Sequence, residues 1–225
     1  NASLTETLTN PDGTQVVQVY TNGLLCSSTA KSSGGATVSW RGYAHDVYGR
    51  VVTETEPAAN GATRTTTFAY NAAGNVTNIA VSAGGIEQGT AKWWDEMGRL
   101  ERVVLPDDGE VAYTYAATGE MESQDGARTY PASFTWNAQG RMAGLATYRS
   151  GLWSEGDSNT FVYSSTRGWQ TGRRFADTST NSVEYYGNGN LKKRTWARGV
   201  SATMAYDPAG SLTNVNYSDA TPDVD

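Results

Sequence analysis

Eight glycines recur along the chain at nearly even spacing, and each closes the same short phrase: an aromatic residue, often Asp or Asn, two variable residues, Gly, a polar residue and an apolar one. Clear copies are Tyr70-Asn71-Ala72-Ala73-Gly74-Asn75-Val76, Trp94-Asp95-Glu96-Met97-Gly98-Arg99-Leu100, Tyr115-Ala116-Ala117-Thr118-Gly119-Glu120-Met121 and Trp136-Asn137-Ala138-Gln139-Gly140-Arg141-Met142. Others run from Tyr185 to Gly189 and Leu191, and from Tyr206-Asp207 to Gly210 and Leu212. His45-Asp46 precedes Gly49-Arg50-Val51, and the copy from Tyr163 to Gly168-Trp169 carries one extra residue. The glycines Gly49, Gly74, Gly98, Gly119, Gly140, Gly168, Gly189 and Gly210 are separated by 25, 24, 21, 21, 28, 21 and 21 residues. A degenerate ninth copy sits at Tyr20-Thr21-Asn22-Gly23-Leu24. A period of this length means that each copy is one supersecondary unit, which buries its apolar face against its neighbours.

The chemistry of the copy identifies the unit as a β-hairpin. The residue two before the aromatic is itself aromatic or apolar in all copies but one (Tyr43, Phe68, Tyr113, Phe134, Phe161, Val183 and Met204, with Lys92 the exception). A spacing of two is strand periodicity and puts both side chains on one face. Asp or Asn then opens a turn by accepting from the backbone two residues on, and Gly takes the positive φ before the chain returns. Links such as Pro11-Asp12-Gly13, Pro57 to Asn60-Gly61 and Pro106-Asp107-Asp108-Gly109 are turn-like as well. The 25 Gly and the 20 Tyr plus Trp fit many short strands and leave little place for helix. The expectation is an all-β chain, 1–225 being a single repeat array. Consecutive antiparallel hairpin repeats of 21–28 residues over 41–217 form one long curled sheet, an open spiral or a filled roll. Residues 1–40 are a degenerate repeat or a cap, and 218–225 a polar tail. About sixteen strands exceed the roughly ten at which open sheets begin to curl.

Charge and composition narrow the function. With 17 basic and 23 acidic residues the formal charge is −6, which repels phosphate backbones and argues against nucleic-acid partners. No apolar run reaches the roughly 20 residues of a membrane-spanning helix. One Cys and one His supply no Cys/His metal cluster. The polar ends predict a segment of something longer.

The phrase Tyr/Trp-Asp/Asn-x-x-Gly-Arg-Leu, repeated from about Tyr43 to Leu212, resembles the YD repeats of Rhs-type proteins. In that family such hairpins pair side by side into a sheet that spirals into a hollow shell, as in bacterial polymorphic toxins, insecticidal toxin complexes and teneurin-like cell-surface proteins. The resemblance implies an extracellular or cell-envelope setting and a role tied to a larger toxin-related or surface protein. The family's core segment after the repeats, its self-cleaving aspartates and its variable toxic C-terminal domain have no counterpart in this sequence.

No catalytic constellation emerges, and no cofactor or metal is expected. His45 occupies the slot held by Tyr or Trp elsewhere, so a stacked ring is its simplest role, and Asp46 beside it faces the other side of the strand. Glu54-Glu56, Asp95-Glu96 and Asp107-Asp108-Glu110 sit at turns or strand ends, where acidic residues are ordinary. Gly187-Asn188-Gly189-Asn190 reads as a repeat turn rather than a phosphate cradle. Lys192-Lys193-Arg194 beside Trp196 and Arg198 is either a solvated strand face or an acidic-glycan contact. Tyr70, Trp94, Tyr115, Trp136, Tyr163, Tyr185 and Tyr206 form a structural ladder. Trp40, Trp93, Trp153, Trp169 and Trp196 fall outside that slot, and Trp153, Trp169 and Trp196 are candidates for a glycan surface. Cys26 is expected to be small and buried. The expected function is a non-catalytic structural or interaction segment, with a carbohydrate-binding module of a surface adhesin as the alternative. The expected partners are the rest of a parent chain or another copy, joined through the C-terminal edge strand.

Overall fold

A computed structural model describes residues 2–149 and 156–219. The described chain is all-β and falls into two compact units, Asn1–Ala112 and Tyr113–Asp225. The first holds β1 (Ser3–Thr9), β2 (Gln15–Thr21), β3 (Leu24–Lys31), β4 (Thr37–His45), β5 (Val51–Pro57), β6 (Thr63–Tyr70), β7 (Val76–Ala83), β8 (Ile86–Trp94) and β9 (Leu100–Val104). The unit boundary lies within β10 (Glu110–Tyr115). The second continues with β11 (Met121–Gly126), β12 (Ala132–Trp136), β13 (Met142–Tyr148), β14 (Gly156–Tyr163), β15 (Gln170–Arg174), β16 (Thr180–Tyr185), β17 (Leu191–Thr195), β18 (Ser201–Tyr206) and β19 (Leu212–Tyr217). These nineteen described strands belong to one antiparallel sheet that does not close. Among the described residues a single 3-10 turn, Ala59–Gly61, is the only helical element.

The loop that makes each hairpin follows from its residues. In the Trp94 copy Asp95 N–H donates to Arg99 O at 2.8 Å, and Gly98 N–H donates to Asp95 O at 2.9 Å. This is a type I turn closed by a left-handed residue, and Gly98, at φ +76°, supplies it without a Cβ clash. The Asp95 carboxylate fixes the turn by accepting Met97 N–H at 3.0 Å and Arg99 N–H at 2.8 Å. In the Tyr163 copy the extra residue is absorbed in the loop, where Ser164 N–H reaches Trp169 O at 2.8 Å. The opposite ends of the strands reuse the same loop, as at Asn10–Thr14, Leu105–Gly109, Phe175–Ser179 and Trp196–Val200. Two of these place non-glycine residues in the left-handed region, Asp108 at φ +61° and Thr178 at φ +69°.

A β-bulge accompanies seven of the eight slot rings. Tyr70 pairs with Val76 while Ala69 pairs with Asn78, so Thr77 is skipped. The same shift occurs at Trp94/Leu100, Trp136/Met142, Tyr163/Gln170, Tyr185/Leu191, Tyr206/Leu212 and His45/Val51. A bulge bends its strand and raises local twist, and here it recurs at one position of every such hairpin. The N-terminal stretch shares this geometry: β1 to β3 pair in series, Tyr20 opposes Leu25, and the skipped residue is Cys26, half-buried rather than buried.

Burial alternates along the strands. In β10 Val111, Tyr113 and Tyr115 are half-buried while Glu110, Ala112 and Thr114 are exposed, and β16 repeats the pattern through Asn181, Val183 and Tyr185. The slot aromatic and the residue two before it therefore share one half-buried face. Only Val103, Ala132 and Ala202 count as buried hydrophobic residues among those described. Side-by-side contacts between strands, rather than a dry interior, must supply most of the cohesion. Ser218 closes the last hairpin on Ser201, and residues 220–225 of the polar tail lie outside the described residues.

Candidate functional site

The repeat's distinguishing side chains meet at the seam between one hairpin and the next. In five seams the slot aromatic donates its polar tip to the carbonyl two residues past the preceding repeat's glycine. Tyr70 Oη reaches Val51 O at 2.6 Å, Trp94 Nε1 reaches Val76 O at 2.8 Å, and Trp136 Nε1 reaches Met121 O at 2.7 Å. Tyr163 Oη reaches Met142 O at 2.7 Å and Tyr185 Oη reaches Gln170 O at 2.9 Å. Each bond ties residues 15 to 21 apart in sequence and satisfies a main-chain acceptor that would otherwise need water.

Arginine one residue after the glycine reinforces this seam. Arg50 holds Asp46 Oδ2 through Nε and Nη2, both at 2.7 Å, and its guanidinium lies 4.5 Å from the centre of the Tyr70 ring in the next repeat. Arg141 lies 4.6 Å from the Tyr163 ring centre and donates to Gly168 O at 2.8 Å. Burial pushes the Asp46 carboxyl up, but donors from the Arg50 main chain, the Arg50 guanidinium and Tyr48 N–H carry it below its ordinary value. Asp95 is likewise lowered, first by Arg99 N–H and then by the Arg99 side chain, against the opposing effect of burial. Asp and Arg of the phrase thus form a turn clasp, and its chemistry is positioning.

The other candidates fall into place around the seams. All eight repeat glycines have positive φ, between 68° and 109°. His45 ends β4, half-buried opposite Val51, while the Asp46 carboxylate is engaged by its own loop and Arg50. Glu54 and Glu56 are shared between Arg41 and Arg64, and Glu110 lies 2.7 Å from Arg102. No group of three His, Cys, Asp or Glu among the described residues is placed to hold a metal ion. Trp169 packs on Tyr185 with Arg167 over its ring, and Trp196 stacks on Tyr217 with Arg194 and Arg198 close to it. Guanidinium groups therefore crowd the two ring systems considered for sugar. Trp153 lies outside the described residues. Lys192 pairs with Glu184 at 3.3 Å.

No family model and no curated protein matches this chain. Among solved structures it is similar to the crystal structure of TcdB2-TccC3, at 12% identity and a TM-score of 0.44, over 96% of this chain and 16% of that one. The same complex without its hypervariable C-terminal region gives 13% identity and a TM-score of 0.48, over 91% of this chain and 14% of that one. The Photorhabdus luminescens Tc holotoxin pore, with a TccC3 mutation, gives 10% identity and a TM-score of 0.37, over 94% and 19%. The chain spans less than a fifth of the length of each of these.

The seam bond is the feature that a packing argument misses. A stacked ladder would accept Phe in the slot, yet all four Phe residues (Phe68, Phe134, Phe161 and Phe175) lie outside it. Tyr, Trp and His are the ring residues that carry a donor, and their exclusive use in the slot is the signal of a hydrogen bond at the ring tip.

Proposed function

We propose that this chain is a non-catalytic scaffold segment, a stretch of YD-repeat shell within a larger secreted or cell-surface protein. The seam is the observation that carries the reading. The ring and Arg that define the repeat direct their polar groups to a neighbouring repeat, Tyr and Trp to a carbonyl and Arg to a ring, while Asp fixes its own turn. Such a segment builds a wall whose strength grows with the number of joined hairpins, as in other repeat arrays.

The two terminal strands are where such a wall would extend. All seven residues of β1 are exposed, with Leu4 and Leu8 on one face, and β19 pairs along one side with β18. A strand of the parent chain or of another copy is the partner that fits an open edge. The test is thermal unfolding of the chain against a version lacking the last hairpin, 201–219. A scaffold of coupled repeats loses stability by a step and keeps its remaining strand signal in circular dichroism. Unchanged stability would contradict the coupling, and turnover of a substrate abolished by His45→Ala would overturn the non-catalytic reading.

A further inference from the structure

In seven of the eight repeats the position five residues after the glycine lies across the ladder from the residue two before the slot, and so shares its face. It holds Ile79 opposite Phe68, Val103 opposite Lys92, Leu145 opposite Phe134 and Val215 opposite Met204. In two successive repeats it holds arginine instead: Arg173, half-buried, opposite Phe161, and Arg194, exposed, opposite Val183. A half-buried charge such as that of Arg173 is costly unless it is paired. The first unit shows the paired case. Its charged occupant, Glu54, lies 3.4 Å from Arg41 within a network that includes Glu56 and Arg64.

Arg173 and Arg194 have no carboxylate partner among the described residues. Arg173 is nevertheless held in place: Nε and Nη2 donate to Asn159 Oδ1 at 3.1 and 3.0 Å, with the Phe161 and Phe175 ring centres at 5.7 and 4.7 Å. Its other terminal nitrogen, Nη1, makes no hydrogen bond among the described residues. Arg194 rests 5.2 Å from the centre of the Trp196 ring. The nearby acids are engaged elsewhere. Glu184 pairs with Lys192, and Asp177 caps its own turn through Ser179. Between 159 and 206 the sequence has seven Lys or Arg against two Asp or Glu, inside a chain of net charge −6.

Both arginines border one hollow of about 470 Å³, lined also by Gln170, Asn181, Tyr185 and Leu191. We propose that this hollow binds a carboxylated sugar of the hexuronic acid class. The fixed guanidinium takes the carboxylate, the Gln170 amide and the Nδ2 of Asn181, whose Oδ1 already accepts Ala197 N–H at 2.7 Å, meet hydroxyls, and Phe161, Val183 and Leu191 face the apolar side of the ring. A site of this kind is compatible with a scaffold and independent of it.

Calorimetric titration of the full chain with tetragalacturonate tests the assignment, with the neutral galactose tetramer and hexaglutamate as comparisons. Saturable binding that weakens with added salt is expected for the uronate alone. Arg194→Gln is expected to weaken it at least tenfold. Arg173→Lys, which keeps the charge but loses the fork held by Asn159, is expected to weaken it severalfold. Lys192→Gln should leave it unchanged. Equal binding of the neutral tetramer, equally tight binding of hexaglutamate, no saturation, or an unaltered Arg194→Gln protein whose circular dichroism matches the parent would each overturn it.

Discussion

At the residue scale, the polar tip of the slot aromatic is the smallest part on which the structure depends. Tyr70→Phe keeps the ring and the Arg50 contact and removes only the donor to Val51 O. A half-buried carbonyl then loses its partner, and stability should fall by about 1 kcal/mol in chemical denaturation. Tyr185→Phe, whose bond to Gln170 O is exposed, should cost clearly less because water replaces the lost donor. Thr178 carries the opposite kind of strain, a β-branched residue at φ +69°. Thr178→Gly should raise stability by about 1 kcal/mol, the relief of strain exceeding the added freedom of the unfolded chain. Asp95 gives a pH dependence. Its carboxyl is lowered in the folded chain below the ordinary 3.8, so its contribution is complete above that value and is lost as the pH falls through the lowered one. Asn71 and Asn137 fill the same place in other copies, so Asp95→Asn should keep the turn and flatten the acid limb of a melting-temperature profile.

At the element scale, the hairpin was legible in the sequence and its exact count was not. Spacing of two, Asp or Asn, then Gly, points to strand, turn and strand, and the structure has that order from His45 to Tyr217. The strands of 1–40 were obscured because Asn22-Gly23 makes a two-residue turn, which shortens the phrase while leaving the Tyr20 and Leu25 pairing and the bulge intact. The bulge itself has no residue signature: Thr77, Glu101, Ala143 and Lys192 occupy it, so only the pairing reveals it. The arginines five residues after Gly168 and Gly189 were visible, but their meaning needed the register that puts them on the aromatic face. The first strand was not expected to be the more open edge. β1 exposes Leu4 at 56% and Leu8 at 65%, a template for another strand. Weak self-association in sedimentation velocity is the expected outcome, shifted toward monomer by Leu8→Lys. A strict monomer at high concentration would contradict it.

At the scale of the whole molecule, each unit is a series in which every described strand pairs with its sequence neighbour, so local openings should remain local. The absence of large fully buried side chains among the described residues makes the seams, rather than a common core, the source of cooperativity. Hydrogen exchange followed by mass spectrometry, comparing the parent chain with Trp136→Phe, tests this most directly. The substitution keeps an aromatic ring in the slot and removes the donor to Met121 O. Faster exchange confined to β11, β12 and β13, with β16 to β19 unchanged, is the predicted result. Uniform acceleration across the second unit, or none at the seam, would show that the repeats are not held together by their seams.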